Sequence, residues 1–302
     1  MKEVHAAIGQ IPLFSGVPLD RILVDQLGGQ TNRNFKLTFG DDRYVLRLAG
    51  AGTEMIINRQ NDETNSIRAA EIGVSTRVVY ADRKTGIMLR EYVEGITLTT
   101  DSFRDPAIID RVANALLRVH SSGVTFESHF SILAKLDEYE AILRNSGGPL
   151  PIDYFDLART TQPARDILAS QVVKLAPCHN DLVAANFLVT GDRVLVLDWE
   201  YSGMNDPLFD LGALSAEVHL TADEEGLLLR SYFGGSVTAG AAHRLSIYRI
   251  LWNQWVTTWS MVQIANWNVN DNFWQFGMAH FEEFRSAVEA PTFAAKVSAL
   301  RL

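Results

Sequence analysis

Three oxygen-bearing side chains stand out by type and spacing. Asp181 is followed five residues later by Asn186, and twelve residues after that by Asp198. Asn186 opens the apolar run Asn186-Phe187-Leu188-Val189, and Asp198 closes Val194-Leu195-Val196-Leu197. Such runs read as short buried strands, and Gly191-Asp192 between them is a hairpin turn signal. The turn folds the strands together, so Asn186 at the start of one faces Asp198 at the end of the other. Asp181 lies on the loop just before. Mg²⁺ takes hard oxygen ligands, one or two of them from protein and the rest from phosphates and water. Asn186 and Asp198 supply such ligands, and Asp181 is left to accept or orient the proton of an attacking hydroxyl. The pattern suits phosphoryl transfer. Each residue type taken singly also serves as a turn residue, cap or strand terminator. Their order between two apolar strands carries the reading.

The elements that must hold these side chains are legible on both sides. Val4, Ala7, Ile8 and Ile11 predict a short helix within residues 1–20, stopped by Pro12. Ile22 to Leu27, Phe35 to Phe39 and Tyr44 to Leu48 read as a β-meander, its first two strands joined by Gly28-Gly29-Gln30-Thr31-Asn32. Glycines let backbone approach a ligand closely, and Thr and Asn add donors, although two glycines in a hairpin are also ordinary turn residues. The loop lacks the Lys-bearing Walker pattern, which argues against a P-loop fold. A helix is predicted from Asn58 to Ile72, with Ile67, Ala70 and Ile72 as its apolar positions and Gly73 as its stop. Arg77 to Ala81 and Ile87 to Glu91 read as a further hairpin. After Thr100 the pattern turns helical, with Ile109, Val112, Ala113, Leu116 and Leu117 leading to His120, a helix-end core or capping residue. Phe130 to Leu143 and Asp153 to Leu175 read as two more helices, one on each side of a Gly-Pro loop. Asp206 before Pro207 is a good N-cap, and Asp210 is suited to steadying the catalytic loop through backbone hydrogen bonds.

Composition excludes several classes. A net charge of −9 argues against a nucleic-acid partner. With 47% hydrophobic residues over 302 positions, the chain can build a substantial core in one or two domains. The single cysteine, Cys178, rules out an internal disulfide framework and a Cys-based zinc site, and reads with His179 as packing and loop support. No apolar run reaches spanning length, and no basic segment followed by an apolar one opens the chain. The simplest expectation is a cytoplasmic protein without membrane insertion, monomeric or homodimeric.

His179-Asn180-Asp181 through Asn186 resembles the phosphotransferase motif shared by aminoglycoside phosphotransferases and choline/ethanolamine kinases. The same order matches the catalytic loop and metal Asp of protein kinases, but Asp198 is followed by Trp199-Glu200 and not Phe-Gly. The run Leu197 to Gly203, with Asp206-Pro207 and Asp210-Leu211-Gly212, is similar to the choline/ethanolamine kinase branch, bacterial members included. The resemblance implies an α+β, two-lobed protein-kinase-like fold. Its N-lobe, residues 1–92, would be an antiparallel sheet plus one helix, and its C-lobe, residues 93–302, mostly helical. Mg²⁺ and ATP would sit among Gly28, Gly29, Thr31, Asn32, Arg47, the connector Glu91-Tyr92-Val93-Glu94-Gly95, Asn186 and Asp198. Arg47 lies where protein kinases carry Lys and choline kinases carry Arg, whose fork suits phosphate oxygens. Glu63 on the following helix would be its partner, by analogy with the kinase Lys–Glu pair.

The acceptor is read from the other end of the chain. Trp252, Trp255 and Trp259 share one helix face, and Trp267, Phe273, Trp274, Phe276 and Phe281 follow on a second helix. Such a stripe serves as core or as an aromatic cage for a quaternary ammonium. Choline kinases resemble this chain in their Trp-rich helices and in a Val-Gln and an Ala-x-Phe, matched by Val262-Gln263 and Ala279-His280-Phe281. The tryptophan register departs: aligning Trp259 with one family tryptophan leaves Val256 where the other stands. Glu217 follows Asp210 at the offset where choline kinases carry a Glu facing the ammonium. The substrate side is therefore expected to comprise Asp181, Glu200, Glu217, Trp252, Trp255, Trp259 and Trp274. The expected reaction is ATP-dependent phosphorylation of choline or ethanolamine, a first step of phospholipid head-group synthesis. Alternatives are another hydroxylated amine, such as an aminoglycoside or thiamine, or a non-catalytic pseudokinase that binds a cationic ligand.

Overall fold

The structure, a computed structural model, describes residues 1–28, 32–50, 57–265 and 272–301. Gly29, Thr31 and Trp267 lie outside the described residues. The chain opens with helix α1 (Lys2–Ile8) and strands β1 (Leu23–Gln26), β2 (Arg33–Phe39) and β3 (Asp42–Leu48). Helix α2 (Arg59–Glu71) and strands β4 (Val78–Ala81) and β5 (Met88–Glu91) follow. The five strands form one antiparallel sheet in the order β1-β2-β3-β5-β4. Alternation along β3 sends Leu46 and Leu48 into the core made with α1, Phe14 and Leu37, and turns Val45 and Arg47 to the opposite face. Leu46 lies opposite Leu89 and Val45 opposite Arg90, so Arg90 emerges on the same face as Arg47.

Helix α2 is capped by Asn58, whose side chain accepts from the amides of Gln60 and Asn61. Its buried face is Asp62, Asn65, Ser66 and Ala69. Ile67, expected on the apolar side, is exposed. A helix whose inner face is polar leaves no hydrophobic period to read. That face is satisfied from both sides of the cleft: Asn65 donates to the Ser202 carbonyl of the helical lobe at 3.1 Å, and Arg90 of the sheet donates to Ser66 Oγ at 3.1 Å.

The remainder is mostly helical. Strand β6 (Ile96–Thr97) precedes helices α3 (Pro106–His120), α4 (Ile132–Ser146), α5 (Tyr154–Thr160) and α6 (Gln162–Ser170). The single helix expected over 153–175 is thus two. Pro163 has no amide hydrogen and its ring clashes with the preceding turn, so the helix restarts there. Strands β7 (Ala176–Cys178), β8 (Phe187–Thr190), β9 (Arg193–Val196) and β10 (Gly203–Asn205) form two small sheets, β6-β8-β9 and β7-β10. Helices α7 (Pro207–Glu217), α8 (Ala222–Phe233), α9 (Ala239–Ala265), α10 (Asn272–Glu289) and α11 (Phe293–Ala299) complete the chain. Helix α9 lies at the centre of the largest apolar cluster, against α7 and α10. Its contacts there are close: a Cβ added at Gly212 would stand 2.7 Å from Cβ of Tyr248, and one at Gly277 2.7 Å from Cβ of Ser260. The architecture is α+β and two-lobed, an antiparallel sheet with its helix joined to a mostly helical lobe. Among the described residues no helix is long and apolar enough to cross a membrane.

Candidate active site

A cavity of about 510 Å³ runs between the sheet and the helical lobe. Its outer part is an apolar slot between Val45 and Thr76 on one side and Leu188 and Leu197 on the other, edged by Gly28, Glu91, Tyr92 and Val93. Its middle holds Asn32, Arg47, Asp181, Asn186, Asp198 and Glu200. Its far end is walled by Tyr201, Trp252, Trp255, Val256, Trp259 and Phe276, with Glu217 among them.

The loop after β7 is held from beneath by Asp210 on α7, whose carboxylate accepts from the amides of His179 and Asn180, both at 2.8 Å. His120 donates from Nε2 to the same carboxylate, 3.1 Å away, from the end of α3. Asn180 adopts a left-handed backbone (φ 66°), and its side chain is fixed by Asn205 at 2.8 Å and by the Tyr201 carbonyl at 3.1 Å. His179 accepts from the Asp181 amide at Nδ1, so its Nε2 hydrogen goes to the Leu197 carbonyl at 2.8 Å. Burial holds the ring below its ordinary pKa, in keeping with that neutral tautomer. Asn186 lies in the turn before β8 and donates to the Asp181 carbonyl at 2.9 Å. Its own carbonyl accepts from the Leu197 amide at 2.8 Å, which ties it to the end of β9 beside Asp198. The expected facing of Asn186 and Asp198 therefore rests on a backbone hydrogen bond between the two chain segments.

Asp198 also has a left-handed backbone, φ 63°. Its Oδ1 accepts from Arg47 at 3.0 Å and its Oδ2 from Asn32 at 3.3 Å. Burial alone would raise its pKa; the guanidinium groups of Arg47 and Arg90 outweigh it and hold the carboxyl below its ordinary value. Arg47 forks onto Asp62, with NH1 to Oδ1 at 3.3 Å and NH2 to Oδ2. Desolvation opposes its charge, but Asp62 and Asp198 keep it protonated. The partner of Arg47 is thus Asp62 and not Glu63. One residue along a helix is about 100° around it, and Glu63 turns outward to Arg83 on the β4–β5 turn.

Glu200 accepts from Asn32 at 2.9 Å and lies 3.4 Å from Arg59, on the Asp198 side of the cavity. Burial, then the neighbouring Asp198, pushes its pKa up to about 7. Asp181 is pushed well above the ordinary carboxylate range, first by burial and then by the charges of Asp198, Glu200 and Glu217. The same cavity thus holds one carboxylate kept ionised, Asp198, and one with a raised affinity for protons, Asp181.

At the far end Trp252 and Trp255 meet edge to face, centroids 5.1 Å apart, and Trp255 stacks on Tyr139 at 6.3 Å. Trp252 donates its indole hydrogen to Glu217 at 3.1 Å. Burial pushes Glu217 up to about 7. Trp274 does not join them. It is 43% exposed, one position past the inward residue Phe273, and Phe276 stands in the wall instead. Sequence reasoning missed Asp62, Arg90, Tyr201 and the role of Phe276. Period-2 register from Arg47 through β3 to β5 carried a signal for Arg90.

A model of the phosphotransferase enzyme family matches residues 25–245, which span the sheet, the catalytic loop and α7. The chain belongs to this family. Within it, the protein LicA of Haemophilus influenzae is 30% identical over 275 residues, 88% of this chain and 80% of that one. A choline/ethanolamine kinase family protein from Mesorhizobium loti superposes with a TM-score of 0.88 at 35% identity, covering 99% of this chain and 98% of the other. The choline kinase LicA of Streptococcus pneumoniae superposes at 0.78 with 27% identity, covering 91% and 96%. The motifs of this phosphotransferase and its two-lobed fold agree.

Proposed function

We propose that the protein is an ATP-dependent kinase of choline or ethanolamine. One observation carries the reading: a single cavity joins Asp181, Asn186 and Asp198 to an end walled by tryptophans with one carboxylate, Glu217. A quaternary ammonium cannot donate strong hydrogen bonds, so ring faces and a nearby carboxylate are what hold it. The names of the relatives support the same substrate class. The apolar slot edged by Glu91, Tyr92 and Val93 suits a nucleotide base, and Arg47 suits its phosphates.

The donor set fits Mg²⁺. Asn186 turns its amide nitrogen to the Asp181 carbonyl, which leaves Oδ1 to ligate, and Asp198 is held ionised. When bound, the ion would neutralise phosphate charge. Asp181 receives the proton of the substrate hydroxyl, and its raised affinity for protons suits it to keep that proton once taken. Asp62 orients the Arg47 fork, Asp210 and Asn186 fix the loop that bears Asp181, and Glu217 with the rings orients the head group. An aminoglycoside would call for several dispersed carboxylates, and among the described residues the far end is lined by one, Glu217. Radiolabelled ATP with a panel of amino alcohols tests the reading. Label transferred to choline or ethanolamine supports it, and saturable choline binding with no labelled product would favour a non-catalytic module.

A further inference from the structure

Glu217 is the last residue of α7, at the helix end where carbonyls point and negative charge is disfavoured. Three elements pack against it. Helix α9 brings the indole N–H of Trp252, and the catalytic loop brings Asp181, which feels the charge of Glu217. Helix α10 brings His280, whose Nε2 lies 3.7 Å from Oε1 of Glu217. The other ring nitrogen is committed. Nδ1 lies 2.7 Å from Oδ1 of Asn253, an oxygen that only accepts, so Nδ1 carries the hydrogen. A neutral His280 therefore turns a bare Nε2 towards the carboxylate. His219, next to the end of α7, opposes a positive charge on that ring. Water offers little relief, since the side chains of His280 and Glu217 are 8% and 12% exposed.

A lone pair facing a carboxylate in a desolvated pocket is unfavourable, and one proton relieves both groups. We propose, resting on the reading that this end takes a cationic head group, that Glu217 and His280 form a one-proton pair in which His280, a positioning residue, sets the charge the pocket offers its substrate. With the proton the pair is neutral; without it the pocket holds one negative charge beside the tryptophans. A quaternary ammonium brings in the positive charge that the proton had supplied, so the proton leaves to solvent as the cation enters. Burial pushes Glu217 up to about 7 and His280 down to about 4, which assigns the resting proton to the carboxyl.

Choline carries a fixed charge, so any proton released on binding comes from the protein. Choline is titrated calorimetrically into the nucleotide-free protein, in buffers of differing ionisation enthalpy, from about pH 5.5 to about pH 8.5. Below the break point, affinity should fall roughly tenfold per pH unit with close to one proton released, and above it both should be flat. Glu217→Gln should bind more weakly, with no pH dependence and no proton release. His280→Gln, whose amide can donate to the carboxylate, should move the break point down by about one unit. The proton count on the unaltered protein decides by itself if that variant does not fold. Choline binding without pH dependence or proton release overturns the pair and leaves the amino-alcohol reading standing. An unmoved break point in folded His280→Gln removes His280 from the proposal. No choline binding at any pH overturns the choline half of the reading, and the pair with it.

Discussion

The two ends of the cleft are made from opposite materials. At the end near the sheet, guanidinium groups and carboxylates interlock: Arg47 with Asp62 and Asp198, Arg59 with Asp62 and Glu200, with Arg90 close behind. Geometry there is set by forks of hydrogen bonds in a nearly dry setting, so removing one member strands another's charge. At the aromatic end, rings pack on rings and a lone carboxylate answers to an indole and an imidazole. Shape there comes from helix packing, and charge is left for a ligand to complete. The first region is fragile in folding and the second in recognition.

Mutations separate the two. The largest effect belongs where they meet: Asp181→Asn should lower turnover by about 10²–10⁴-fold while nucleotide affinity, read by fluorescence titration, stays unchanged. Near-normal turnover would break the mechanism. In the charged region, Asp62→Ala should cost about 3 kcal/mol in urea unfolding, because the buried Arg47 loses its bidentate partner and is left with Asp198 alone. Glu63→Ala, whose partner Arg83 is half exposed, should cost less than about 1 kcal/mol. Equal losses would show that Asp62 is not the anchor. The aromatic end responds to pH. Glu217 binds its proton more tightly folded, at about 7, than at its ordinary 4.5. Its contribution is therefore fully present below the ordinary value and is lost as pH rises through about 7, on the order of 3 kcal/mol in all. Glu217→Gln should flatten that part of the stability profile, and an unchanged slope would mean that another group is responsible. Smallest is the contrast between rings: Trp259→Ala should raise the choline KM about tenfold. Trp274→Ala, on the solvent side, should leave it unaltered.

Much of the frame was legible because ordinary periodicities govern it. The meander, the hairpins and a helix beginning at Asn58 all follow from alternation and turn chemistry, and the expected hold of Asp210 on the catalytic loop is seen at the His179 and Asn180 amides. What escaped is what periodicity cannot encode. The inner face of α2 is polar, so a hydrophobic pattern pointed to Ile67 and analogy pointed to Glu63. Adjacent carboxylates on a helix differ only in angle, and that angle is fixed by partners far along the chain. Trp274 failed for the same reason: ring type is visible in a sequence, but which ring faces inward depends on where α10 meets α9. The break at Thr161 was signalled by Pro163, which a long apolar pattern masked.

Gly212 and Gly277 stand behind the aromatic walls and touch nothing that binds. They let α9 settle against its two neighbours, and the gauge of the binding chamber follows from that seating. A methyl group at either position would wedge the helices apart and slide whole rows of rings, whereas trimming one ring opens a local hole. Accommodating bulkier amines is thus a matter of backbone spacing, governed by two residues that have no side chain.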